Sequence, residues 1–183
     1  GAGIQADLKA FQANGVFGMS VITAITAQNT RAVTAAHTLP LDLIQAQLDA
    51  IFDDLPVGAI KTGMLATAEV IGLLADALAD HPHLPLVIDP VMISKSGHAL
   101  IADDAVATLR DRLLPLATVI TPNAHEAGRL LDRPVQTIDD AMQAARDLGA
   151  LGPRAVLLKG GHLDDPEVAV DLLFDGAAVH RFE

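Results

Sequence analysis

Five stretches of the chain repeat one pattern, in which a short run rich in Val, Ile and Leu stops abruptly at a cluster of polar residues and glycine. They are SVITAITAQNT (20–30), VGAIKTGM (57–64), LPLVIDPVM (84–92), ATVITPNAHE (117–126) and AVLLKGGH (155–162). Apolar runs of this length read as buried strands, and amphipathic helical segments separate most of them. That alternation predicts an α/β fold with a mostly parallel central sheet and helices on both faces. Ligands of such sheets bind beyond the carboxyl ends of the strands, which is where all five polar clusters fall. The expectation is one pocket to which every strand contributes.

Caps and breakers mark the elements between. Ile4, Leu8 and Phe11 recur at helical spacing and Gly15 closes that segment. A strand follows over 20–27, then an extended piece over 33–38. Pro40 suits the first turn of a helix carrying Leu43, Leu48, Ile51 and Phe52. Thr67 is placed to cap a helix through Leu78, and Asp103 opens another that runs to Leu113 and Leu114 before Pro115. Thr137 with Asp140 has the form of a capping box, with the helix ending at Gly149 or Gly152. Two further strands, 168–174 and 177–182, flank Asp175-Gly176 as a hairpin.

Charge narrows the function. With 12 Lys and Arg against 23 Asp and Glu the net charge is -11, which argues against a nucleic-acid partner. No apolar stretch reaches the length of a membrane span, and the expectation is a soluble cytoplasmic protein. There is no cysteine, so neither disulfides nor thiolate chemistry operate within these residues. The seven His show no metal-ligand spacing.

Each polar cluster has a chemical reading and a plain one. Asp89, between an apolar run and Pro90, can face a ligand or hydrated Mg²⁺, or bond its own turn. Asn123 and Glu126 can be a capping pair or can set a helix N-terminus against phosphate. Lys159, followed by Gly160 and Gly161, has the composition of a phosphate site, a cation beside residues that let backbone approach a ligand; the rival is a solvated turn lysine. Gln28 can read the edge of a heterocycle, since an amide both donates and accepts, or sit in a polar turn. Met64 can wall a flat ring or fill core.

Taken together, GAGIQADLKAF (1–11), SVITAITAQNT (20–30), KTGML (61–65), VIDPVMISKSGHAL (87–100), TPNAHEA (121–127) and VLLKGGHL (156–163) resemble one family. It is that of the hydroxymethylpyrimidine and phosphomethylpyrimidine kinases of thiamine biosynthesis, in the ribokinase-like superfamily, and the similarity runs along the whole chain. The resemblance implies a three-layer αβα fold and an ATP- and Mg²⁺-dependent kinase. Its substrate would be the hydroxymethyl group of 4-amino-5-hydroxymethyl-2-methylpyrimidine and, in many members, the resulting monophosphate. It further implies that Gln28 holds the aminopyrimidine, that Met64 and Val91 pack on it, and that Gly3 and Asp7 lie near the substrate. Asp89 and Glu126 fall where the family handles Mg²⁺ and triphosphate, Thr121 and Asn123 along the phosphates, and Lys159 where a lysine supports the phosphate chain. Lys95, Ser96 and Gly97 match a flap over the site, and a homodimer is implied.

Family members carry a strand and a Ser-Gly-Gly turn ahead of the match to Gly1. Beyond the equivalent of Glu183 they carry a Gly-Thr-Gly-Cys anion hole with an activating cysteine. The expectation is therefore a single ribokinase-like domain over 1–183 without those two segments. Two other readings stand beside it: a pyridoxal or pyridoxine kinase, since the superfamily handles both rings, and a catalytically incomplete pyrimidine-binding remnant.

Overall fold

The computed structural model describes residues 3–92, 101–161, 163 and 169–183, the side chain of residue 103 excepted. Backbone contacts group the chain into two units, 1–57 and 58–183.

In the first unit, helix α1 (Ile4–Ala13) ends at Asn14, and Gly15 takes φ 74°, the left-handed value a helix terminus favours. The chain then crosses its own helix at Gly18, where a Cβ would lie 2.7 Å from Leu8. Strand β1 (Ala24–Gln28) starts later than the apolar run suggests. At residue 22 the backbone is instead gripped by a side chain: Gln47 accepts from the Ile22 amide at 2.9 Å and donates to its carbonyl at 3.0 Å. The first run is also not a parallel strand. It pairs antiparallel with β2 (Val33–Thr38) in a two-stranded sheet, because the connection over 29–32 is far too short for a crossover. Helix α2 (Leu41–Phe52) starts just after Pro40 and buries Ile44 and Leu48, whereas Leu43 is about half exposed and not on the packed face.

The second unit carries the other four runs as β3 (Ile60–Thr62), β4 (Leu86–Ile88), β5 (Val119–Ile120) and β6 (Ala155–Leu158). They lie side by side in that order, all parallel. Helix α3 (Ala68–Ala79), capped by the Thr67 hydroxyl, joins β3 to β4. The segment expected as one helix to Leu114 is α4 (Asp103–Thr108), then a π turn over Leu109–Leu113 and a 3₁₀ turn over Leu114–Leu116 that accommodates Pro115. Helices α5 (Ala124–Leu131) and α6 (Ile138–Gly149) connect β5 to β6, and each begins with a capping box. Helix α3 packs on α4 and α4 on α5, as expected when successive crossovers step the same way along a sheet, and α5 packs on α6 within one crossover. Buried Leu, Ile, Val and Ala fill the space between sheet and helices, among them Ile71, Ile88, Ile120, Leu148 and Leu158.

The sheet is completed by β7 (Asp171–Phe174), antiparallel to β6, and β8 (Val179–Phe182), antiparallel to β7. Their turn is the one expected at Asp175-Gly176, with Gly176 at φ 94°; the expected start of the first of these strands, residue 168, lies outside the described residues. Among the described residues no helix is long and apolar enough to cross a membrane.

Candidate active site at the carboxyl edge of the parallel sheet

Each parallel strand stops within three residues of its polar cluster, and the backbone ladder continues one step further. The Asp89 amide donates to the Thr62 carbonyl at 3.2 Å, the Thr121 amide to Ile88 at 2.9 Å and the Lys159 amide to Pro122 at 2.8 Å. Those bonds hold Asp89, Thr121 and Lys159 in register at successive strand ends, so their side chains converge. Lys159 Nζ reaches over β5 and donates to Asp89 Oδ1 at 3.0 Å, and the Thr121 hydroxyl donates to the same oxygen at 3.3 Å. Lys159 is thus paired with a carboxylate while remaining partly open to water. The Lys159 and Asp89 side chains keep 41% and 25% of their surface exposed, so a ligand can reach both.

Glu126 stands behind this pair. Its Oε2 accepts from the Asn123 amide at 2.8 Å, while Asn123 Oδ1 accepts from the Glu126 amide at 2.9 Å, which is the capping box in full. The capping reading holds, and the box sets the N-terminus of α5 beside Asp89 and Lys159. Glu126 is only 6% exposed. Burial pushes its carboxyl above the ordinary glutamate value, opposed by the Asn123 amide and the Lys159 charge; Asp89 adds to the rise.

Gly160 has a different use from the one its sequence suggests. A Cβ there would fall 1.8 Å from the Val170 carbonyl oxygen, so the missing side chain makes room for the start of β7 and not for a ligand. Its amide donates to Asp171 Oδ1 at 3.0 Å. Gly161 faces open space. Between the ends of β3 and β4 lies a small recess with Gly63, Asp89 and Val91 on its rim and Ile71, Ile88 and Leu109 behind. Met64, which follows Gly63 in the chain, is half-buried and does not line that recess.

The structure therefore brings Asp89, Thr121, Asn123, Glu126 and Lys159 together, with Val91 beside them. Gln28, at the end of β1, and Gly3 and Asp7, at the start of α1, belong to the first unit. Lys95, Ser96 and Gly97 lie outside the described residues. Two neighbours of the site escape sequence reasoning. Thr62 has a buried hydroxyl with no hydrogen-bond partner among the described residues, and Asp171 holds the backbone that follows Lys159. Only the position of Thr62 at the end of a buried run could have drawn notice to it.

A carboxylate and an ammonium at one strand edge, beside a capped helix N-terminus, form an arrangement suited to phosphate chemistry. Comparison with known proteins gives the same direction. The family model described as phosphomethylpyrimidine kinase matches residues 1–183. The chain is 50% identical over 182 residues to the thiamine biosynthesis bifunctional protein ThiED of Geobacter sulfurreducens, covering all of this chain and 37% of that protein. Among solved structures, phosphomethylpyrimidine kinase from Clostridium difficile superposes with a TM-score of 0.90 at 45% identity, covering 100% of this chain and 78% of that one. The ADP complex of Bacillus subtilis pyridoxal kinase superposes with a TM-score of 0.90 at 41% identity, covering 100% and 70%. These neighbours share the ribokinase-like three-layer α/β fold. By sequence along its whole length and by fold, this chain belongs to the phosphomethylpyrimidine kinase family.

Proposed function

We propose that the protein is an ATP-dependent kinase that phosphorylates 4-amino-5-hydroxymethyl-2-methylpyrimidine and then its monophosphate, in thiamine biosynthesis. The observation that carries this reading is the convergence of Asp89, Thr121 and Lys159 at adjacent strand ends beside the N-terminus of α5. Phosphoryl transfer depends on positioning and charge neutralisation more than on covalent chemistry, and these groups suit both. Lys159 neutralises charge on the phosphate chain. Asn123 and Thr121 lie along it, and the first turn of α5 presents its amides to it.

The residues fit Mg²⁺ in character. Asp89 is a reachable carboxylate, and among the described residues no group of three or more His, Cys, Asp or Glu forms a cage. One or two carboxylates completed by phosphate oxygens and water is the usual environment of that ion, which when bound neutralises phosphate charge. Asp89 would hold it, with Glu126 contributing charge from behind. Gln28, Met64, Val91, Gly3 and Asp7 are assigned to the pyrimidine, and Lys95 to the nucleotide. Exposed Phe17 and Ile25 in the first unit suit a homodimer, and ATP as donor suits a cytoplasmic enzyme.

Pyridoxal kinase is the second reading, favoured by the likeness to the Bacillus subtilis enzyme. ADP release from ATP and Mg²⁺ with hydroxymethylpyrimidine as acceptor tests the first. Turnover that needs the pyrimidine supports it, and saturable pyrimidine binding without ADP release would leave the binding-remnant reading.

A further inference from the structure

We propose that Lys159 stands where it excludes a free divalent cation from Asp89, so that the site accepts the cation only as its complex with a triphosphate. The inference deepens the kinase reading and rests on its assignment of the cation to Asp89 and the phosphates to Lys159. Asp89 Oδ1 already accepts from the Lys159 ammonium at 3.0 Å and from the Thr121 hydroxyl at 3.3 Å. A cation arriving alone must displace a like charge at hydrogen-bond distance and leave Lys159 without its carboxylate partner. The neighbouring carboxylate offers little relief, because Glu126 is buried and already takes the Asn123 amide at 2.8 Å. A triphosphate changes this, since its oxygens give Lys159 a new anionic partner and give the cation further ligands. Metal and nucleotide then favour one another through a shared pair of side chains, and such coupling is reciprocal.

The test uses Mn²⁺ alone as the probe, with its free concentration read by electron paramagnetic resonance in nucleotide-free solution. Lys159→Gln and Lys159→Met are expected to bind Mn²⁺ roughly tenfold more tightly than the unaltered protein, from removal of one adjacent positive charge. Lys159→Arg keeps the charge and is expected to show no gain. Thermal melts establish that the variants are folded, as the exposure of the pair predicts. Unchanged or weaker Mn²⁺ binding in both neutral variants, with binding lost in Asp89→Asn, would overturn the inference while leaving the cation at Asp89. Binding undiminished in Asp89→Asn would instead remove the underlying assignment, and the inference with it.

Discussion

The Lys159 ammonium lies 3.0 Å from Asp89 Oδ1 although the two residues end strands that are not neighbours, with β5 between them. Because Lys159 and Asp89 are both partly exposed, their ion pair contributes little to folding, at most about 1 kcal/mol. Its importance lies in the site. Lys159→Met is expected to lower kcat with ATP by roughly 10²- to 10³-fold, the usual cost of removing one charge-stabilising donor. The melting temperature should move by only a few degrees. Steady-state kinetics beside calorimetry checks both, and a large loss of stability would mean the pair is structural.

Adjacent glycines after Lys159 separate fold from function. Gly160→Ala sets a Cβ against backbone of Val170, which cannot retreat as a side chain can, and a loss of roughly 2–4 kcal/mol is expected. Gly161→Ala meets nothing within 4 Å and should leave folding unchanged. Urea unfolding of the two variants decides the matter, and equal midpoints would contradict the packing described.

Glu126 predicts a pH dependence of opposite sign to that of ordinary carboxylates. Burial raises its folded value, so between the unfolded and folded values the native chain holds a proton that the unfolded chain has lost. Its contribution is complete below the unfolded value and is lost as pH rises through the folded one. Asp140 and Asp147 are lowered, chiefly by hydrogen bonds from the Thr137 amide and from Gln143 respectively, and they lose stability as pH falls. Above the range where those two titrate, the stability of the unaltered protein relative to Glu126→Gln should shrink as pH climbs. Unfolding midpoints across the weakly acid range test this, and a constant difference would contradict it.

Thr137 caps α6 away from the chemistry. Its hydroxyl accepts from the Asp140 amide at 3.1 Å, so Thr137→Ala should cost about 1 kcal/mol and leave kcat and KM unchanged. A melt and a kinetic assay on one preparation check it.

Much of this was legible in the sequence because local rules and tertiary structure agree. Thr67, Thr137 and Asn123 cap helices that their own residues specify, and runs ending at Thr62, Asp89, Thr121 and Lys159 become parallel strands that deliver polar residues to one edge. Long-range partners broke the rules elsewhere. Gln47 takes the backbone of Ile22 out of strand pairing, and Val170 occupies the space that Gly160 leaves. Neither contact has a signature near its own residue. The ion pair of Lys159 with Asp89 spans 70 residues, and only the strand order shows that a lysine side chain can bridge it.

The most direct test of the central claim is a competition in which the protein, ATP and Mg²⁺ meet hydroxymethylpyrimidine and pyridoxal together, with both phosphorylated products quantified. The account predicts that phosphomethylpyrimidine forms with the higher kcat/KM and that Gln28→Ala erases most of that advantage. Preferential phosphorylation of pyridoxal, or an advantage untouched by Gln28→Ala, would contradict it.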